Sequence, residues 1–291
     1  MNRGGDRALL FGCLGDELVG ILHPSDDPHA QTAIIVIVGG PQYRVGSHRQ
    51  FVLIARTLAE AGYPVLRFDV RGMGDSTGSV HGFDSIDTDI AAAIDCVHEQ
   101  LPSVKRVVLW GLCDGASAAL LYCHSTHDAR VAGLCLLNPW VRSEASLART
   151  HVKHYYAQRL LQPSFWRKMI AGKVGPNALT DSWRSLRTAL RPVGGLEPAA
   201  GVAIPYQRRM AEAWPTFNGE IMLVLSGRDF TAKEFVEYVE GDKGWKAGFQ
   251  RRGLVKHDLP EADHTFSDAG SRIALERLTL EWLSTVPVTR S

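Results

Sequence analysis

Val107-Val-Leu-Trp-Gly-Leu-Cys-Asp-Gly-Ala-Ser-Ala-Ala-Leu120 is the stretch that most limits what this chain can become. Val107 to Trp110 is an apolar run of strand type. Ala116 to Cys123 is a run of mostly small residues of helical type, and only Gly111-Leu-Cys-Asp-Gly115 separates the two. A strand that becomes a helix across five residues needs a sharp bend. Glycine fits two before and two after the centre, where side chains would collide. The central residue is then held in strained backbone geometry and left exposed at the end of its strand. That is the strand–turn–helix context of a G-x-S-x-G nucleophile elbow, here with cysteine for serine. The N-terminus of the following helix favours a thiolate at that place. The plainer alternative makes Gly111 and Gly115 ordinary turn glycines and Cys113 a small buried hydrophobe. The rest of the chain has to decide between them.

The chain's 291 residues suffice for one α/β domain with an insertion or for two small domains. With 45% hydrophobic and 22% charged residues it reads as an ordinary water-soluble globule. A net charge of +1 implies no global electrostatic partner. Five cysteines, an odd number without short repeated spacing, do not form a disulfide framework, so a reducing cytoplasm is the expected compartment. The first residues have no apolar segment of signal-peptide type, and no apolar run reaches membrane-spanning length.

In chain order, Ala8–Phe11 and Glu17–Leu22 read as a hairpin, and Ala33–Val38 as a strand buried on both faces. The loop Gly39-Gly-Pro-Gln-Tyr-Arg44 follows that strand, where one oxyanion-binding N–H would come from. Pro41 has no N–H, so the expected donor is Gln42, unless the loop is a plain Gly-Pro turn. Tyr43 and Arg44 are expected at the same mouth, as substrate-binding residues together with Trp140. Ser47 and Gln50 have capping-box spacing before a helix carrying Phe51, Ile54 and Leu58. Pro64–Phe68 reads as a strand. In the glycine-rich turn Asp69-Val-Arg-Gly-Met-Gly-Asp-Ser76 that follows, Asp69 and Arg71 read as loop braces. Ile86, Ile90, Ile94, Val97 and Leu101 mark a helix. His124 and His127 fit the last turn of the elbow helix better than a metal site, and no cofactor is implied.

After the strand Val131–Leu137 the texture changes. Residues 140–215 are rich in lysine and arginine with interleaved aromatics, and read as a mostly helical cap inserted into a core formed by 1–139 and 216–291. The excess of base favours an anionic ligand. Ile221–Leu225 and Leu254–Leu259 are the last strands expected, with a helix at 231–240 and a final helix capped by Ser267. Alternating strands and helices predict a mostly parallel twisted sheet of roughly eight strands, covered on both faces.

Three chemically useful residues each follow an expected strand: Cys113, Asp229 and His264. In that arrangement His264 takes the thiol proton and Asp229 holds the imidazole tautomer. The N–H groups of Asp114 and Gln42 hold the oxyanion. Singly, Asp229 could simply cap the helix after it, and His264 could pack on Phe266. The order nucleophile, acid, histidine speaks for a triad.

The motifs Asp69-x-Arg-Gly-x-Gly-x-Ser76, Gly-x-Cys-x-Gly, Ser-Gly-Arg-Asp229 and Asp-His264 resemble those of the α/β-hydrolase superfamily along nearly the whole chain. Gly-Gly-Pro-Gln-Tyr-Arg44 with Gly-Leu-Cys-Asp-Gly-Ala-Ser117 is similar, more closely, to hydrolases associated with the bacterial exosortase A system. That resemblance implies a bacterial hydrolase with a cap, linked to exopolysaccharide and protein sorting. It also implies kinship with dienelactone hydrolases, where cysteine stands in the elbow. Two features depart from an efficient site: the Asp114 carboxylate beside the thiol, and Pro41 in the oxyanion loop. The expected function is hydrolysis or transfer of an ester- or thioester-bound acyl group, with an anionic small-molecule or carrier-bound substrate. The competing reading is a catalytically weak binding protein that docks an acidic partner or membrane surface through its basic cap. Redox sensing at Cys113 lacks a nearby resolving cysteine. Nucleic-acid binding lacks a recognition motif.

Overall fold

A computed structural model describes residues 5–40, 42–142 and 204–287. Eight strands form one sheet in the order β1-β2-β4-β3-β5-β6-β7-β8. They are β1 (Arg7–Cys13), β2 (Asp16–His23), β3 (Thr32–Ile37), β4 (Val65–Phe68), β5 (Arg106–Leu112), β6 (Val131–Leu137), β7 (Glu220–Ser226) and β8 (Leu254–Leu259). β1 and β2 make the expected hairpin, and β2 runs antiparallel to β4; all other pairings are parallel. Helices α1 (Gln50–Glu60), α2 (Asp87–Gln100), α3 (Asp114–Thr126), α4 (Tyr206–Thr216), α5 (Phe230–Gly241), α6 (Lys243–Gly248) and α7 (Ala269–Leu283) complete the described elements, with short 3-10 turns at Ser47–Arg49 and Phe83–Ser85. This is the α/β-hydrolase fold.

β3 shows why the sheet is covered on both sides. Ala33, Ile35 and Ile37 enter the core under α2 and α3, while Ile34, Val36 and Val38 enter the core under α1 and α7. A strand whose alternating faces are both apolar loses solvation on either face, so helices must close over both. α1 supplies Phe51, Ile54 and Leu58 to the second core, and α7 supplies Leu275, Leu278 and Trp282.

Local signals were less dependable than the pattern. The capping box at Ser47 and Gln50 does not form. Ser47 opens a 3-10 turn, and α1 starts at Gln50 after Arg49 in left-handed geometry with no side-chain cap. Asp268, not Ser267, caps α7 by accepting from Ser271 N at 2.9 Å. Ser267 instead donates its hydroxyl to Asp263.

The stretch 140–215 divides. Residues 143–203 lie outside the described residues, so the expected cap falls there, as does the loop Gly194–Gly201. The end of the stretch is a core helix: α4 buries Met210, Ala213 and Trp214 in the core under α3. Trp214 stacks on Phe249 with centroids 5.3 Å apart, and Phe235 meets Trp245 edge-on at 5.5 Å. Burial of these aromatics accounts for α6, a helix the sequence periodicity had not suggested.

Candidate active site

The elbow is built by three backbones in close approach. A Cβ on Gly111 would stand 2.4 Å from the Gly115 carbonyl carbon, and one on Gly115 would stand 2.2 Å from Ile37 O. No side chain fits at those distances, so the glycines are a packing requirement of β3, β5 and α3. Cys113 sits at φ 57°, ψ −120°, outside the regions that ordinary residues prefer. Its N–H donates to Leu137 O at 2.9 Å, which ties the strained turn to β6. The thiol is half-buried, while Cys13, Cys96, Cys123 and Cys135 are buried; all five are free.

Asp229 follows β7 and does two jobs with one carboxylate. It accepts from Thr231 N at 3.0 Å and Ala232 N at 3.2 Å, capping α5, and its Oδ2 lies 2.8 Å from His264 Nδ1. Asp229 thus caps α5 and pairs with His264 through the same carboxylate. His264 stands in the loop after β8, its side chain about one-third exposed. The Asp229 charge is felt at the Cys113 thiol, and the His264 charge at Asp114. The three residues thus converge at the carboxyl ends of β5, β7 and β8.

Asn138 completes the frame and was not singled out in the sequence. It is wholly buried at the end of β6, with a φ of 44°. Its side chain donates to Ser226 Oγ at 2.9 Å and His264 O at 3.2 Å, and accepts from Ser226 N at 2.9 Å. One amide thereby joins the end of β7 to the histidine loop. The only sequence trace was its place after an apolar run, before Pro139.

Of the two expected oxyanion donors, the Asp114 N–H approaches the Cys113 thiol. The Gln42 N–H donates to Gly40 O at 2.8 Å. An N–H committed to a neighbouring carbonyl cannot also serve an oxyanion. The loop N–H that faces the site is that of Gly40, and it points at the Asp114 carboxylate.

Electrostatics at the thiol are unfavourable at rest. Burial, and then the neighbouring Asp114 carboxylate, push the Cys113 thiol up to about 12. Asp114 Oδ1 lies 3.8 Å from the sulfur and accepts from the thiol. Burial raises Asp114 above the usual carboxylate range as well, opposed by the Cys113 and Gly40 hydrogen bonds.

The expected substrate-binding residues separate. Tyr43 is exposed. Arg44 is a brace: its guanidinium pairs with Asp69 and with Asp75, the latter at 2.6 Å, and its N–H donates to Asp69 Oδ1 at 2.7 Å. A guanidinium shared by two carboxylates has little charge left for a substrate. Trp140 uses its carbonyl to accept from Ser117 Oγ at 2.7 Å, and its ring lies under the Arg142 guanidinium at 4.3 Å. Arg71 bonds Asp89, so Asp69 and Arg71 brace loops as expected. His124 lies 3.3 Å from Glu212, and His127 ends α3 in left-handed geometry. Among the described residues no group of three or more His, Cys, Asp or Glu could hold a metal ion, and no helix is long and apolar enough to cross a membrane.

Comparison with known proteins agrees with this architecture. The family model described as serine aminopeptidase, S33, matches residues 29–189. Among solved structures, the Pyrococcus furiosus esterase Pf2001 aligns at TM-score 0.64 and 16% identity, over 97% of this chain and 93% of that one. Est1E from Butyrivibrio proteoclasticus, solved with bound ferulic acid, aligns at 0.60 and 17%, over 95% and 100%. Proline iminopeptidase of Mycobacterium smegmatis aligns at 0.58 and 16%, over 96% and 98%. At these identities the structural likeness speaks to the fold alone. No curated protein matches the sequence.

Proposed function

Because the chain belongs to the serine aminopeptidase S33 family of α/β hydrolases, we propose that it cleaves an ester or thioester bond, with Cys113 in the place of the family's serine. The observation that carries this reading is the 2.8 Å pair of Asp229 and His264 at the same sheet edge as the strained Cys113. His264 accepts the thiol proton as the sulfur attacks the acyl carbon, and Asp229 stabilises the resulting imidazolium. The N–H groups of Asp114 and Gly40 are the nearest candidates to hold the oxyanion, once the Asp114 carboxylate moves off Gly40. The leaving alcohol or thiol takes the proton from His264. Water, deprotonated by His264, then attacks the acyl-thioenzyme, releasing the acid and restoring the thiol; an alcohol in place of water gives acyl transfer.

The Gly39–Arg44 and Gly111–Ser117 motifs support a link to exopolysaccharide and protein sorting in bacteria. The basic composition of 140–215 supports an anionic leaving-group side, such as a carrier or lipid headgroup. Five free thiols support a reducing compartment, the cytoplasm. The test is hydrolysis of a chain-length series of acyl thioesters and matched oxygen esters by the wild type, Cys113→Ala and His264→Ala. Turnover by the wild type alone supports the triad, and equal turnover by all three refutes it.

A second reading has its own observation. A thiol raised to about 12 beside a carboxylate suits a protein that binds without turning over. In that case an acidic partner or membrane surface would bind in a salt-sensitive way, and Cys113→Ala would leave binding intact.

A further inference from the structure

The strand order reverses between β3 and β5, which is where open α/β sheets form their ligand crevice. A cavity of about 240 Å³ opens there, walled by Val38, Val70, Met73, Phe83 and Ile86, with Asp114 as its acidic group. Among the described residues no lysine or arginine forms an ion pair with Asp114; Arg142, whose charge it feels, pairs with Glu234 at 2.9 Å. His81 also lines the cavity, and the His264 charge reaches Asp114. A mostly apolar cavity whose one carboxylate has no lysine or arginine paired to it is complementary to an apolar group that carries its own donor.

We propose that this cavity is the acyl subsite, and that Asp114 selects an acyl group bearing a hydrogen-bond donor, ammonium above hydroxyl, within a few carbons of the scissile carbonyl. The cavity is of a size for a short acyl group rather than a long fatty chain. Selection and activation are then one event. A bound ammonium offsets the Asp114 charge, draws that carboxylate away from the Cys113 sulfur and Gly40 N–H, and removes the like charge that opposes a thiolate. The departure from an efficient elbow becomes a requirement for the right substrate. The anionic preference suggested by residues 140–215 concerns the other end of the substrate, the leaving group.

This inference rests on the hydrolase reading of Cys113, and the test separates the two. The p-nitrophenyl esters of butyric, 3-hydroxybutyric, 3-aminobutyric and succinic acids are compared by kcat/KM on wild type and Asp114→Asn. Expected for the wild type is the order amino, hydroxy, plain, carboxy, with the amino ester about tenfold above the plain one. Asp114→Asn, checked for an unchanged melting temperature, brings those two within about twofold as the charge-assisted bond is lost. Turnover that needs Cys113 but ranks the plain ester first or level leaves the hydrolase reading standing and overturns this one. If no ester is turned over, calorimetry of butyramide and 3-aminobutyramide on Cys113→Ala decides. Tighter binding of the amino compound, lost in Cys113→Ala/Asp114→Asn, supports the subsite, and equal or absent binding overturns it. Should Asp114→Asn fail to fold, wild-type inhibition by the same two amides gives the ranking.

Discussion

Asp229 Oδ2 and His264 Nδ1 are 2.8 Å apart, and the carboxylate beside the imidazole also accepts from the Thr231 and Ala232 N–H groups in the first turn of α5. The proposed catalytic role and helix capping therefore fall on one side chain, and substitution can separate them. Asparagine caps about as well as aspartate but cannot hold the imidazolium. Asp229→Asn is expected to keep the melting temperature within a few degrees and lower kcat by about 10⁴-fold. Asp229→Ala should lose the same activity and also about 1 kcal/mol of stability, read from urea denaturation.

Alkylation reports on the thiol. With a pKa near 12, Cys113 in the resting protein should react slowly with iodoacetamide at pH 7 and faster throughout the alkaline range. Asp114→Asn removes a like charge, so the thiol pKa falls and the rate at pH 8 rises. Mass spectrometry should find the label on Cys113, since the other four cysteines are buried. An unchanged rate profile would show that burial, not Asp114, sets the thiol.

Asn138 is a buried positioning residue. Asn138→Leu leaves Ser226 N–H without its acceptor, and unsatisfied buried groups of this kind cost about 1–3 kcal/mol each. It also releases the His264 loop. Lower stability in denaturant with a fall in kcat and little change in KM is expected. A stability loss with kcat intact would limit Asn138 to the scaffold.

His23 gives the fold an acid sensitivity of its own. It is 2% exposed, its Nδ1 lies 2.7 Å from Asp6, and its Nε2 accepts from Arg67 Nε at 2.9 Å. Burial, then the Arg67 charge, lowers its pKa from 6.5 to about 4. The unfolded chain therefore binds the extra proton first as pH falls. Stability is complete above 6.5 and declines between 6.5 and 4, by about 3 kcal/mol in all. Urea midpoints measured from pH 7 to 4 should fall, and His23→Gln should flatten that part of the slope.

The elbow glycines leave no latitude. Gly115→Ala places a methyl 2.2 Å from Ile37 O, a backbone atom that β3 holds in the sheet. Loss of soluble protein, or a melting temperature lowered by more than 10 °C, is expected; a normally stable variant would mean that β3 and α3 can part.

Much of the architecture was legible along the chain. The run Thr32–Ile37 is apolar at every position but the first, and a strand with two apolar faces has one solution: a sheet covered on both sides. The elbow was legible because Gly111 and Gly115 answer a local steric demand, and Asp229 and His264 because each follows an expected strand, apolar before Asp229 and mixed before His264. Arg44 and Gln42 were misread for a common reason. Their sequence neighbours identify the loop, but whether a guanidinium meets Asp69 and Asp75, or an N–H closes on Gly40, depends on the path of the loop in space.

The sequence alone determined what periodicity and local sterics can express: the mostly parallel sheet, the sharp turn at Cys113, and the places of Cys113, Asp229 and His264 after their strands. Only the tertiary structure decided which groups are partners. Asn138 reaches Ser226 and His264 across 88 and 126 residues of chain, and α4 joins the core through Trp214. Such contacts depend on strand order and burial, and a buried polar group takes whichever partner folding brings within reach, because leaving it unpaired costs more than any local preference provides.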